Sequence, residues 1–162
     1  MSKPRYNWWG FALNMIKDYP GRKKELEEIQ RQNISAKINT APGGGYRSVN
    51  RPTEAAAARQ LPLCDQREYD AVQKAVSATG AQRDGETRLK VVSLTLFKNS
   101  HTIPGAALKL GISEDKAKKY RWEFVMATGA AFGLIDETEF RRQVSERFNG
   151  CKAIGDHAQP FC

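Results

Sequence analysis

The sequence is poor in the residues that build metal sites and disulfide frameworks. Its 162 residues include three cysteines, Cys64, Cys151 and Cys162, and two histidines. An odd number of irregularly spaced cysteines argues against a disulfide framework, so we expect reduced thiols. Cys151, His157 and Cys162 lie close together near the C-terminus, but they lack a fourth ligand and match no common zinc-finger spacing. We therefore expect neither a metal nor a cofactor.

The chain also lacks a long apolar run and a recognisable catalytic arrangement. No segment approaches the roughly 18 apolar residues of a membrane span, and the N-terminus has no signal-peptide pattern. We expect a cytoplasmic protein without a membrane partner. His101 and His157 are far apart, and no carboxylate cluster or nucleophile with a neighbouring base stands out. These absences favour a binding protein over an enzyme.

Positive charge, by contrast, is abundant. The chain has 26 Lys and Arg against 18 Asp and Glu, a formal net charge of +8. Residues 1–63 carry 11 basic against 5 acidic side chains, and residues 84–135 carry 8 against 5. This excess favours a polyanionic partner, although charge alone does not choose between nucleic acid and an anionic membrane.

No segment is rich in strand-forming residues, so the predicted fold class is all-α.

Proline and glycine divide the chain into four parts. A stripe of aromatic and aliphatic residues predicts a helix over 5–18, Pro20 predicts its end, and a charged second helix follows to about residue 33. We expect that polar helix to pack on the first helix or on a second copy of the chain, as a homodimer. Gly43–Gly45 indicate a linker, and without a following Gly-Lys-Ser/Thr they do not form a phosphate loop. The predicted parts are an N-terminal helical hairpin at 1–38, a linker at 39–52, a helical domain at 53–149 and a poorly ordered tail at 150–162.

The segment 101–124 predicts a helix-turn-helix, placed at about residues 102–128. Gly111 is suited to the position just past a helix end, where the backbone turns left-handed, and Ser113 is suited to cap the next helix. Ala107 is small enough for two helices to approach closely at their crossing. The predicted inward residues are Ala106, Ala107 and Leu110 on the first helix and Ala117, Tyr120 and Phe124 on the second.

The other face of the predicted second helix is basic. Lys116, Lys118, Lys119 and Arg121 fall within six positions, and Trp122 follows. A DNA major groove accepts such a helix, with its N-terminal residues toward base edges and its lysines toward phosphates. An ordinary amphipathic hairpin with a solvated lysine face has the same charge run. Ala107, Gly111 and the apolar Ile112 at the corner of the turn all keep helix-turn-helix spacing, however, and this favours DNA binding.

The candidate DNA-binding residues include two acids at the tip of that helix. Glu114 and Asp115 accept hydrogen bonds from cytosine amino groups in one interpretation, and in the other they weaken non-specific binding. Arg47 and Arg51 in the linker are further candidates, since basic arms track the DNA backbone. The full set is Ser113, Glu114, Asp115, Lys116, Lys118, Lys119, Trp122, Arg47 and Arg51.

Four blocks of sequence, in order, resemble the ArpU/RinA-like regulators of late genes in bacteriophages and prophages of Gram-positive bacteria. The resemblance covers most of the chain and depends on the order and spacing of the blocks together. The blocks are Tyr6-x-Trp8-Trp9 with Asp18-Tyr19-Pro20, Pro42-Gly43-Gly44-Gly45 with Arg51-Pro52-Thr53-Glu54, Gln66-Arg67-Glu68-Tyr69-Asp70-Ala71-Val72, and Ser100-His101-Thr102-Ile103-Pro104-Gly105-Ala106-Ala107-Leu108.

The resemblance implies a sequence-specific transcriptional activator of packaging and structural genes. It further implies a C-terminal helix-turn-helix similar to region 4 of sigma factors, double-stranded DNA as ligand and host RNA polymerase as partner. Two alternatives remain. A small terminase subunit would form a ring of many subunits, which a mass measurement detects, and a polymerase-binding interaction protein would capture host polymerase without DNA.

Overall fold

The computed structural model describes residues 6–38 and 60–149. The predicted linker with Arg47 and Arg51, the first residues of the predicted helical domain and the tail with Cys151, His157 and Cys162 lie outside the described residues.

Helices account for the regular structure of the described residues, which contain no strand, so the predicted all-α class is confirmed. The helix Gly85–Val92 continues into a π-helical segment, Ser93–Phe97. No helix in these two ranges is long and apolar enough to cross a membrane. Residues 6–38 and 60–149 contain six α-helices: α1 Trp9–Ile38, α2 Leu63–Gly80, α3 Gly85–Val92, α4 Ile103–Leu110, α5 Glu114–Phe132 and α6 Glu137–Asn149.

Helix α1 is a single helix of 30 residues with Pro20 inside it, so the predicted N-terminal hairpin is wrong. A proline inside a helix removes one backbone hydrogen bond and costs about 3 kcal/mol. Contacts on both sides of Pro20 offset this cost. Before it, Ile16 and Tyr19 are buried in the core; after it, Arg22 pairs with acidic residues of α2. Tertiary packing therefore outweighs the local preference for a turn.

Arg22 holds α1 against the start of α2. Its guanidinium lies 3.0 Å from an oxygen of Asp65 and 2.5 Å from an oxygen of Glu68. The Arg22 and Glu68 side chains are largely buried, so solvent screens this pair less than a surface pair. The two acids lie three residues apart on α2 and thus share a face. These two contacts hold α1 against α2 just beyond Pro20.

The main core lies where α1, α2, α5 and residues 85–97 meet. Residues 85–97, which are α3 and the π-helical residues that follow it, are called the α3 segment. Its aromatic part is a chain of rings: Tyr19 stacks on Tyr69 with centroids 5.2 Å apart, and Phe97 contacts both Tyr19 and Phe124. The aliphatic part surrounds Phe124, which is buried. The buried members of this core are Ala12, Met15, Ile16, Tyr19, Val72, Ala75, Val92, Leu96, Phe124 and Val125.

The α3 segment supports both the main core and the pair α4–α5. Val92 and Leu96 belong to the main core, whereas Val91 packs against Ala107 of α4 and Ala117 of α5. Neighbouring residues on a helix point about 100° apart, so Val91 and Val92 face different cores. Residues 85–97 thus form one helical segment, π-helical in its second part, that contacts both α4 and α5.

A tight corner joins α2 to α3. Asp84 has φ of 62°, in the left-handed region, and Gly85 follows it as the first residue of α3. A Cβ at Gly85 would lie 2.8 Å from the carbonyl oxygen of Thr79 and closer still to that of Gly80. Both obstacles are backbone atoms at the end of α2, which cannot rotate away as a side chain can. The corner therefore requires glycine at 85.

We expect Gly85→Ala to destabilise the protein, because its new methyl group overlaps the backbone of α2; overpacking of this kind costs about 1–3 kcal/mol or more. Gly10→Ala is the matched control, since a Cβ there meets no atom within 4 Å and alanine favours a helix. Thermal unfolding should show a lower Tm for Gly85→Ala and an equal or higher Tm for Gly10→Ala. Equal Tm values for both variants would contradict the requirement for glycine at this corner.

Burial raises the pKa of Tyr19 to about 12, and neighbouring Tyr69 adds to the shift. An unfolded tyrosine loses its proton near pH 10. Between about pH 10 and 12 the unfolded chain therefore releases a proton that the folded protein keeps, and the free energy of unfolding falls by at most about 1.4 kcal/mol per pH unit. Tyr19→Phe lacks this group. In urea unfolding, the stability difference between wild type and Tyr19→Phe should shrink as pH rises through this window, and a constant difference would contradict the assignment.

Candidate nucleic-acid interface

Helices α4 and α5 are joined by a short turn whose local chemistry follows the sequence. Thr102 caps α4 by accepting a hydrogen bond from the Gly105 amide at 3.3 Å. Gly111 ends α4 with φ of 65° and ψ of 33°, the left-handed conformation expected of it. Ser113 caps α5 by accepting from the Lys116 amide at 3.3 Å. The predicted roles of Gly111 and Ser113 in the turn are confirmed.

A small second core holds α4 and α5 together. Ala107 and Ala117 are buried where the two helices approach, and Tyr120 closes the space against Val91 of α3. Ile112, in the turn, packs against the same cluster. Of the predicted inward residues, Ala106, Ala107, Ala117, Tyr120 and Phe124 are buried, and Leu110 is partly buried.

The opposite face of α5 presents the predicted candidates to solvent in its first two turns. Asp115 is almost fully exposed, with 96% of its side-chain surface accessible. Lys116 and Lys118 are about half exposed, Lys119 is 34% exposed, and Trp122 is partly buried. The structure thus brings the candidates 113–122 together around one helix end. Their contacts with DNA stay predictions.

Each of the three lysines on this face has an acidic partner. Lys118 lies 2.7 Å from Glu114 and 3.8 Å from Asp115, both on the preceding turn. Hydrogen bonding to Glu114, followed by the charge of that residue, raises the pKa of Lys118. Lys118 therefore stays protonated at neutral pH. The Glu114–Lys118 spacing of four residues is the one that favours helix ion pairs, and sequence reasoning missed it.

The partners of the other two lysines come from residues that the sequence analysis did not select. The Nζ atom of Lys116 lies 3.9 Å from a carboxylate oxygen of Asp84, at the α2–α3 corner. The Nζ atom of Lys119 lies 4.0 Å from Glu123, one turn further along α5. At these distances both pairs are loose. The Lys116–Asp84 pair is half exposed on both sides, and pairs this exposed contribute about 0–1 kcal/mol.

Arg88 of α3 is the centre of a polar network that anchors α5. Its guanidinium donates to Glu123 and lies over the ring of Tyr120, 4.3 Å from the centroid. The Tyr120 hydroxyl donates to Asp84 at 3.4 Å. Only 16% of the Arg88 side chain and 13% of the Glu123 side chain are exposed, so this pair is more shielded than the lysine pairs. Partners 35 residues apart leave no local signal in a sequence.

The described residues offer no evident place for a metal. No group of three or more histidine, cysteine, aspartate or glutamate side chains within 6–38 and 60–149 could hold an ion. Cys64, the cysteine that the structure describes, is exposed and unpaired.

Comparison with known proteins adds no relative: no family model, no curated protein and no solved structure matches this chain.

We expect Arg88→Met to destabilise the protein, because it leaves the Glu123 carboxylate shielded from water without its main partner. Breaking a fully buried pair costs about 3–5 kcal/mol, and the residual exposure of both side chains should make the loss here smaller. Replacing Glu123 by Leu as well removes the orphaned charge. In chemical denaturation, the double variant Arg88→Met/Glu123→Leu should therefore lose less unfolding free energy than the sum of the losses in Arg88→Met and Glu123→Leu. Additive losses would contradict a strong pair.

Proposed function

We propose that this protein is a sequence-specific DNA-binding transcriptional activator, with α5 as its recognition helix. The observation that carries the proposal is the division of α5 into two faces. Ala117 and Tyr120 pack on α4 and α3, while Lys116, Lys118 and Lys119 remain accessible at the opposite side. Two packed helices joined by a tight turn allow the second to enter a major groove while the first crosses the backbone.

The ion pairs of α5 are compatible with exchange for DNA. Pairs between half-exposed side chains are weak, so phosphate oxygens can replace the acidic partners of Lys116 and Lys118 at small cost. The acids then remain beside the DNA. A carboxylate repels phosphates and accepts a hydrogen bond from a cytosine amino group. Glu114 and Asp115 should therefore weaken binding to most duplexes. The loss should be smaller for a duplex that places cytosine amino groups next to these two carboxylates.

The biological setting follows from the resemblance to ArpU/RinA-like regulators. We propose that the DNA lies upstream of phage or prophage late genes, namely the packaging and structural operon, and that the protein acts in the bacterial cytoplasm with host RNA polymerase. A homodimer is compatible with the proposal, since dimers of such helix pairs bind two half-sites about one helical turn apart.

We expect Lys118→Ala/Lys119→Ala to bind its selected duplex more weakly than wild type. Each lost phosphate contact should reduce the slope of log affinity against log salt by about 0.9. The experiment first selects retained duplexes from a randomised pool, then titrates the best duplex at several salt concentrations. The matched control is Lys74→Ala/Arg142→Ala, which removes two exposed cations from α2 and α6.

The control distinguishes position from net charge, since both double variants lose two positive charges. The proposal expects a larger loss of affinity and slope for the α5 variant than for the control. Equal effects would assign the binding to overall charge, and a wild-type protein that enriches no sequence would overturn sequence-specific recognition.

A further inference from the structure

One cation of α5 differs from the three lysines in its surroundings. Arg121 is partly buried, and its Nε atom is buried without a hydrogen-bond partner. Within the ranges 6–38 and 60–149, no acidic side chain pairs with it and no acceptor receives a hydrogen bond from it. The lysines at 116, 118 and 119 each have a carboxylate within 4.0 Å.

An unpaired guanidinium that has lost part of its hydration raises the free energy of the protein. Burial lowers the pKa of Arg121. Arginine nevertheless stays charged, because its ordinary pKa lies far above neutral. The folded protein therefore keeps a partly desolvated positive charge with no counter-charge, which is costly unless an anion binds. Such an arrangement is typical of a binding site more than of a stabilising contact.

The position of Arg121 on α5 indicates where that anion would lie. Ala117 and Val125, four residues before and after, are buried in the two cores. Lys118, three residues before, is half exposed on the outward face. Phe124, three residues after, is buried as well, so three of the four helix neighbours of Arg121 belong to the packed face and the fourth, Lys118, belongs to the outward face. Arg121 is partly exposed, and its exposed part lies on the side of Lys118, where a helix in a major groove faces the phosphates of the groove wall.

We propose that Arg121 binds a backbone phosphate of the DNA, next to the base pairs contacted by the N-terminal end of α5. This inference rests on the proposed function. The planar guanidinium donates two parallel hydrogen bonds to phosphate oxygens, a geometry that lysine lacks. Phosphate binding supplies the missing counter-charge without first breaking an ion pair of the free protein. Lys118, in contrast, must leave Glu114 before it contacts DNA.

The test compares Arg121→Gln, Arg121→Lys and the control Arg142→Gln, an exposed arginine on α6, on the duplex selected by wild-type protein. Arg121→Gln should weaken binding about tenfold or more and reduce the salt slope by about 0.9, the effect of one phosphate contact. Arg121→Lys retains the charge and should keep the slope while losing affinity several-fold. Arg142→Gln should change neither by a comparable amount.

Thermal unfolding of the same variants supplies the second readout. Removing an unpaired, partly buried charge should leave the Tm of Arg121→Gln equal to or above that of wild type. A lower Tm with an unchanged salt slope would assign Arg121 a structural role and overturn the inference. Equal binding by Arg121→Gln and Arg142→Gln would also overturn the inference about Arg121. The proposed function would stand in that case if Lys118→Ala/Lys119→Ala still weakened binding. Failure of wild-type protein to enrich any duplex would overturn both.

Discussion

The burial of the C-terminal half of α5 is the interaction on which the rest of the described structure depends. Phe124 and Val125 lie in the main core with residues of α1, α2 and the α3 segment, and Met126 and Thr128 are fully buried. Further toward its start, the same helix packs on α4 and exposes its outer face. Because one end of α5 is enclosed by the core, its exposed end has a fixed orientation. A helix held in this way has little conformational freedom left to lose, and such preorganisation lowers the entropic cost of any contact that its exposed face makes.

The electrostatics of α5 arise from the same division. Its exposed end carries several cations, but the acids at 84, 114, 115 and 123 compensate the lysines in the free protein. The exposed surface of α5 therefore carries both positive and negative side chains. Its net charge alone does not describe this arrangement. Arg121 is the exception among the cations of this helix, because it is buried enough to lose water and has no acidic partner within residues 6–38 and 60–149. Affinity that depends on matching this pattern is more selective than attraction to a uniform basic patch.

Local chemistry explains which features were predictable from the sequence. Gly111 and Ser113 mark the turn because a left-handed residue and an N-cap are requirements of the few residues around them. The inward positions of α4 and α5 follow from helical periodicity. The prediction that the first helix ends at Pro20 was wrong because the cost of a proline is a local effect. The contacts that offset this cost join Arg22 to Asp65 and Glu68, which are 43 or more residues away in the sequence. The Arg88–Glu123 pair and the burial of Arg121 depend on tertiary packing in the same way, so no spacing rule indicates them.

The continuity of α1 through Pro20 has a geometric consequence. At about 1.5 Å per residue, its 30 residues form a rod about 45 Å long. Its first half is buried in the core that also holds α5, and Arg22 pairs with α2 just beyond Pro20. Most of the described side chains of α1 after Arg22 are exposed. A continuous helix therefore carries these residues further from the core than a hairpin folded back at Pro20 would.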